Sequence, residues 1–169
     1  MSCRHDLALN TCSVCYPATG KVTPTWSGDS MDGPGAAPRR MPVVYIAGPF
    51  RGKTTWDIAE NVRHAERFGL VVARMGAMPL IPHANTTLFH GQLDDQFWLD
   101  GTLRLLDVSD AIVMIPRWRD SSGARAEREW FEKWGRGERV FYLDAGPVER
   151  VDTNDDYRRL RAWVEAFRA

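Results

Sequence analysis

Residues 43–49 read Val43-Val44-Tyr45-Ile46-Ala47-Gly48-Pro49. An apolar run rich in β-branched residues stops at a Gly-Pro pair that no strand or helix continues through. The stretch therefore predicts a buried strand. After it, Thr55 or Asp57 is placed to cap a helix running to about Arg74, with Ile58, Val62, Ala65 and Phe68 at helical spacing. Met78 to Pro82 predicts a second strand. Ala111 to Ile115, apolar throughout, predicts a third, as a central parallel strand requires. Arg139 to Leu143 predicts a fourth. Between and after these strands, helices are expected from Asp94 or Asp95 through Leu106, from Ser122 to Trp134 with Gly135 as the stop, and from Asn154 to Phe167.

Strands that alternate with helices join through right-handed crossovers into a parallel sheet covered on both faces. The predicted fold is thus a doubly wound α/β domain of flavodoxin- or Rossmann-like type, spanning residues 42–169. Such sheets bind ligands beyond the carboxyl ends of their strands. The segments after Ala47, Pro82, Ile115 and Leu143 are the ones to read for chemistry.

The chain has 169 residues, 44% hydrophobic and 26% charged, which excludes a wholly disordered or fibrous protein. Lys and Arg number 22 and Asp and Glu 22. A balanced chain exerts no global pull on nucleic acid or on an anionic membrane surface, so neither is an expected partner. No apolar run is long enough to span a bilayer, and the first ten residues lack the apolar core of a signal peptide, so the expected compartment is the cytoplasm.

All three cysteines fall in the first 15 residues. With His5 they form Cys3-x-His5-x6-Cys12-x2-Cys15, four ligand types that suit a structural zinc ion, and residues 1–16 are read as a small zinc-type segment. The competing reading is a tail with incidental thiols. Residues 17–41, rich in Gly and Pro, read as a flexible linker.

The loop Gly48-Pro-Phe-Arg-Gly-Lys-Thr54 invites a phosphate-loop reading, but it is one residue short of Gly-x4-Gly-Lys-Ser/Thr, and Pro49 removes an amide such a loop uses. A phosphotransferase is therefore a minor alternative. A simpler anion site survives: Gly52 leaves backbone amides free at the following helix start, with Arg51 and Lys53 beside them. The second loop, Trp118-Arg-Asp-Ser121-Ser122-Gly123-Ala124-Arg-Ala-Glu127, follows the third strand and opens a helix. Ser121, Ser122 and the amides near Gly123 sit where the helix dipole favours an anion. Glu127, one turn in, either points back toward that anion or lies on a solvated helix face beside Glu129. Asp100, with Asp94 and Asp95 nearby, supplies a second carboxylate, as glycosidic chemistry needs. Asp107 and Asp110 read as caps or strand-edge residues. His83, directly after a strand, is placed to touch a ligand. His83 and His90 alone do not make a metal site, and no catalytic cofactor is expected.

These residues together resemble a known family. Tyr45-Ile-Ala-Gly48-Pro49-Phe50 after the first strand, an Asp-bearing helix, and Trp118-x2-Ser121-x-Gly123-Ala124-x2-Glu127 after the third are similar to the nucleoside 2-deoxyribosyltransferase-like superfamily. That superfamily includes deoxyribosyltransferases, 2'-deoxynucleoside 5'-monophosphate N-glycosidases and many phage and bacterial proteins. The resemblance covers about Pro42 to Asp144. It implies that Glu127 attacks the anomeric carbon, that Tyr45 positions Glu127, and that Asp100 assists the departing base. It implies that Ser121 and the Arg51-Gly52 pair lie near a 5'-phosphate. Gly48, Pro49, Phe50 and His83 would complete the substrate contacts on one side, and Trp118, Ser122, Gly123 and Ala124 on the other. It also implies a homo-oligomer acting on nucleotides or nucleosides. Arg128 and Glu129 stand where a glycine often follows the glutamate. A non-catalytic nucleotide-binding protein is the alternative of another class.

Overall fold

The chain divides into two units, Met1–Pro38 and Arg39–Ala169. The computed structural model describes residues 41–89, 91–144 and 148–169. The expected zinc ligands Cys3, His5, Cys12 and Cys15, the linker up to residue 40, and His90 lie outside the described residues.

Strand β1 spans Val43–Ala47, and Tyr45, Ile46 and Ala47 are fully buried. Helix α1 follows over Thr55–Arg74. Its cap is Thr54, not Thr55 or Asp57: the Thr54 hydroxyl accepts from the Asp57 amide at 3.1 Å, while the Asp57 carboxylate accepts from the Thr54 amide at 2.9 Å. The pair satisfies two orphan donors reciprocally. Strand β2 is Met78–Leu80. The short helix α2, Pro82–Thr86, was not expected; its proline sits at the first turn, where a missing amide costs nothing. Helix α3 runs over Asp95–Asp107 behind an Asp94 cap, strand β3 over Ala111–Met114, and helix α4 over Ser122–Phe131. The last turn after α4 is distorted over Glu132–Arg136 and stops at Gly135, with φ 71°. Strand β4 is Val140–Tyr142, and helix α5, capped by Asn154, is Asp155–Arg168.

The four strands are all parallel in the order β2-β1-β3-β4. The expected doubly wound α/β sheet is therefore the fold. Strand alternation divides the core in two. Val44, Ile46, Val113 and Ile115 join Phe68, Val72, Leu160 and Val164 from α1 and α5. Tyr45, Ala47, Ile112 and Met114 join Leu106, Ala124 and Phe131 from α3 and α4. Parity thus aims Tyr45 at the α3/α4 layer. Strand order reverses between β1 and β3, since β1 continues outward to β2 and β3 to β4. That is the switch point where such sheets hold ligands. Among the described residues, no helix is long and apolar enough to cross a membrane.

Candidate active site

A cavity of about 700 Å³ lies at this switch point, walled by the loops after β1 and β3 and by α2, α3 and α4. Of the residues expected to contact substrate, Gly48, Pro49, Phe50, Arg51, His83, Ser121, Ser122, Gly123 and Ala124 line it, and so does Glu127.

Its central feature is a hydrogen bond. The Tyr45 hydroxyl donates to Glu127 Oε1 at 2.7 Å, joining residues 82 apart in sequence. Glu127 lies between Ala124 and Phe131 on the inward stripe of α4, where both neighbours are buried. It is an ionisable group at a position that packing alone would give to an apolar side chain. A helix start favours the ionised form of a nearby carboxylate, but at Glu127 burial wins. Desolvation raises the carboxyl from its ordinary 4.5 to about 7, against the Tyr45 hydrogen bond, which lowers it. Burial and the adjoining carboxylate hold the Tyr45 phenol well above its usual range. Tyr45 thus stays protonated and is the donor of the pair.

The two helix starts at the site differ. At α1 the Asp57 carboxylate already occupies the cap. At α4 the first turn holds no acidic residue, and Ser121 caps it by accepting from the Ala124 amide at 3.2 Å. First-turn amides lack partners within their own helix and favour an anion. The α4 turn is therefore the open anion seat, with Arg51 and Arg117 on the same cavity. Arg51 pairs with Asp95, and Arg117 lies 3.7 Å from Asp120. The start of the Gly48–Thr54 loop packs against the core and offers no backbone cradle of the phosphate-loop kind. Gly48 and Pro49 are buried, and a Cβ at Gly48 would collide with the Ile115 side chain. Close approach, not a left-handed φ, requires the glycine.

His83 is buried beneath the loop, with Nε2 3.0 Å from the Gly48 carbonyl oxygen. That acceptor assigns the hydrogen to Nε2, and burial lowers the imidazole's pKa, so the ring is neutral.

Three expected site residues stand elsewhere. Asp100 is exposed on α3 and accepts from Gln96 Nε2 at 2.7 Å. The cavity face of α3 is Asp95, Trp98, Leu99 and Thr102, and one residue along a helix turns the side chain by ~100°. Among the described residues, the cavity's other carboxylates are Asp95 and Asp120. Trp118 is only 4% exposed and belongs to the core, its indole N–H donating to Asp144 Oδ2 at 2.8 Å. The same bond gives Asp144 a structural task. Gly52 lines a separate side cavity, where Asp57 crowds it. Asp110 is the strand-edge residue expected, accepting from the Val43 amide at 2.8 Å. No cluster of three metal-ligating side chains occurs among the described residues. Trp98, Leu99, Thr102 and Arg117 were missed, and Asp95 was named only as a neighbour of Asp100; the helical spacing 95, 98, 99 and 102 was the available signal for the four on α3.

The family model for a domain of unknown function, DUF4406, matches residues 42–137, more than half of the chain. The chain belongs to the DUF4406 family. The match runs from just before β1 to the end of the distorted turn after α4, so both Tyr45 and Glu127 fall within it. No curated protein matches this DUF4406 chain.

Proposed function

We propose that this DUF4406 protein breaks the N-glycosidic bond of 2'-deoxynucleotides, with 5'-monophosphates as the favoured substrates and water as the favoured acceptor. The observation that carries the reading is the Tyr45–Glu127 hydrogen bond at the base of a cavity on the carboxyl edge of the sheet.

In this reading Glu127 attacks the anomeric carbon as the C–N bond opens. The bonding pair leaves with the base, which takes a proton from the Asp95 carboxyl group, and a glycosyl-enzyme ester forms on Glu127; the later attack by water returns a proton to Asp95. Water then displaces Glu127; a second base doing so would make the reaction a transfer. Tyr45 fixes the carboxylate in place and holds its attacking lone pairs toward the cavity. The first turn of α4, with Ser121 and Ser122, holds the 5'-phosphate. Asp95, which faces the cavity, takes the place expected of Asp100 beside the departing base. A 2'-deoxy sugar fits this chemistry because it lacks the hydroxyl that withdraws electrons from the developing cation. We also propose that the chain self-associates.

The test is a panel of deoxynucleoside 5'-monophosphates, deoxynucleosides and ribonucleotides incubated with the full chain, with free base followed by chromatography. Release from the deoxynucleotides and little from ribonucleotides is expected. Binding without base release would make the protein a non-catalytic nucleotide binder, and equal turnover of ribonucleotides would place it in another glycosidase class.

A further inference from the structure

A second cavity, of about 540 Å³, adjoins the first and shares two of its wall residues, Arg51 and Arg117. Its charged lining is Arg51, Lys53 and Arg117 with Asp57 and Glu60. Both acids are engaged elsewhere: Asp57 accepts from the Thr54 amide and Glu60 pairs with Arg63. The cations are not held so firmly. Arg117 makes only a 3.7 Å exposed pair with Asp120, and Arg51 an exposed pair with Asp95. Exposed pairs of this kind exchange at little cost for a better anion.

Arg117 is also the one non-glycine residue with positive φ among the described residues, at φ 67° and ψ 11°. Its backbone is pinned on both sides. The Trp118 amide donates to the Ile115 carbonyl at 3.1 Å, and the Asp120 amide to the Arg117 carbonyl at 3.0 Å, while the Trp118 ring is locked in the core. Glycine would take this conformation freely, whereas a long side chain is strained in it. The fold therefore carries an arginine, at a conformational cost, on the shared wall of the two cavities.

We infer that the second cavity is a second phosphoryl subsite, and that Arg117 and Lys53, with Arg51 between the cavities, select ligands bearing a phosphoryl group beyond the first. The ligand class is a nucleoside 5'-diphosphate, its first phosphate on the α4 turn and its second in the side cavity. This inference rests on the reading of the main cavity given above and, within its nucleotide class, moves the preference from the 5'-monophosphate to the 5'-diphosphate. Arginine suits the role because its planar fork grips two phosphate oxygens at once.

The experiment is calorimetric titration of the full-length Glu127→Gln chain, which turns nothing over, with deoxynucleoside 5'-monophosphates and 5'-diphosphates, and with inorganic phosphate and pyrophosphate as probes free of any base. The diphosphates and pyrophosphate are expected to bind about tenfold tighter than their monophosphate counterparts, with the gain shrinking as salt rises. Adding Lys53→Gln or Arg117→Gly should bring the ratio to within about twofold. Arg117→Gly relieves the strained backbone, so its melting temperature should not fall, which separates lost recognition from lost folding. Monophosphate binding with a ratio near one in the unsubstituted background would overturn the second subsite alone. A ratio unchanged by Arg117→Gly would overturn the role of Arg117. Binding of neither class would overturn the reading of the main cavity, and this one with it.

Discussion

Replacing Glu127 by Gln should stabilise the protein at alkaline pH and abolish the proposed release of base. In the folded chain the carboxyl binds its proton more tightly than in the unfolded chain, its pKa rising from 4.5 to about 7 because burial disfavours the charge. Between those values the folded state holds more protons than the unfolded state. Stability must therefore fall as pH rises through this window and level off above about 7. The full rise corresponds to about 3 kcal/mol, each pKa unit being worth ~1.36 kcal/mol. The cavity is open to water and Glu127 only partly buried, so about 2 kcal/mol is the expected cost of the ionised group. Glutamine has nearly the same shape, keeps an oxygen for the Tyr45 hydroxyl, and never ionises. At pH 8 the variant should melt about 5–10 °C above the natural chain, and at pH 4.5 the two should nearly coincide. Differential scanning calorimetry at both values measures this. A gap that does not change with pH, or a variant less stable at pH 8, would refute the claim that desolvation dominates at this carboxyl.

Tyr45→Phe removes the donor that lowers the Glu127 pKa, so the pH at which the rate is half-maximal should move upward from about 7 as kcat falls; a lower rate with an unmoved midpoint would leave Tyr45 only a packing role. Ser121→Asp keeps a capping oxygen for the Ala124 amide, so the fold should hold, while the new charge repels a 5'-phosphate and shifts preference toward deoxynucleosides by tenfold or more. Unchanged preference in a competition assay would remove the phosphate from the α4 turn. Purified full-length protein should carry one zinc per chain on Cys3, His5, Cys12 and Cys15 by elemental analysis, and three freely titrating thiols in metal-free protein would contradict this.

The parallel sheet was legible because its signals are local. The buried strand at Val43, the Asp94 and Asn154 caps and the Gly135 stop each act within a few residues of themselves. Glu127 was legible through motif and position: three residues past buried Ala124 and four before buried Phe131, it stands on a stripe meant for apolar groups. What sequence could not decide was rotation and competition. Asp100 lies one residue off the cavity face of α3, because Asp95, Trp98, Leu99 and Thr102 turn inward with the core residue Leu106. Trp118 reads as a ligand contact beside Ser121, yet its large apolar ring and the Asp144 acceptor draw it into the core. The α1 start looks like a backbone-amide anion seat until Asp57 is seen to fill the cap itself, which leaves only side-chain cations there. Each outcome depends on partners far along the chain.

The claim on which the account turns is that Glu127 forms a covalent bond to the sugar. Rapid acid quench of the protein turning over a deoxynucleoside 5'-monophosphate, followed by mass spectrometry of its peptides, reads that bond directly. The expected result is a deoxyribosyl 5-phosphate adduct on the peptide containing Glu127, absent from the Glu127→Gln chain. Base release with no adduct at any quench time, or with turnover retained in Glu127→Gln, would contradict it.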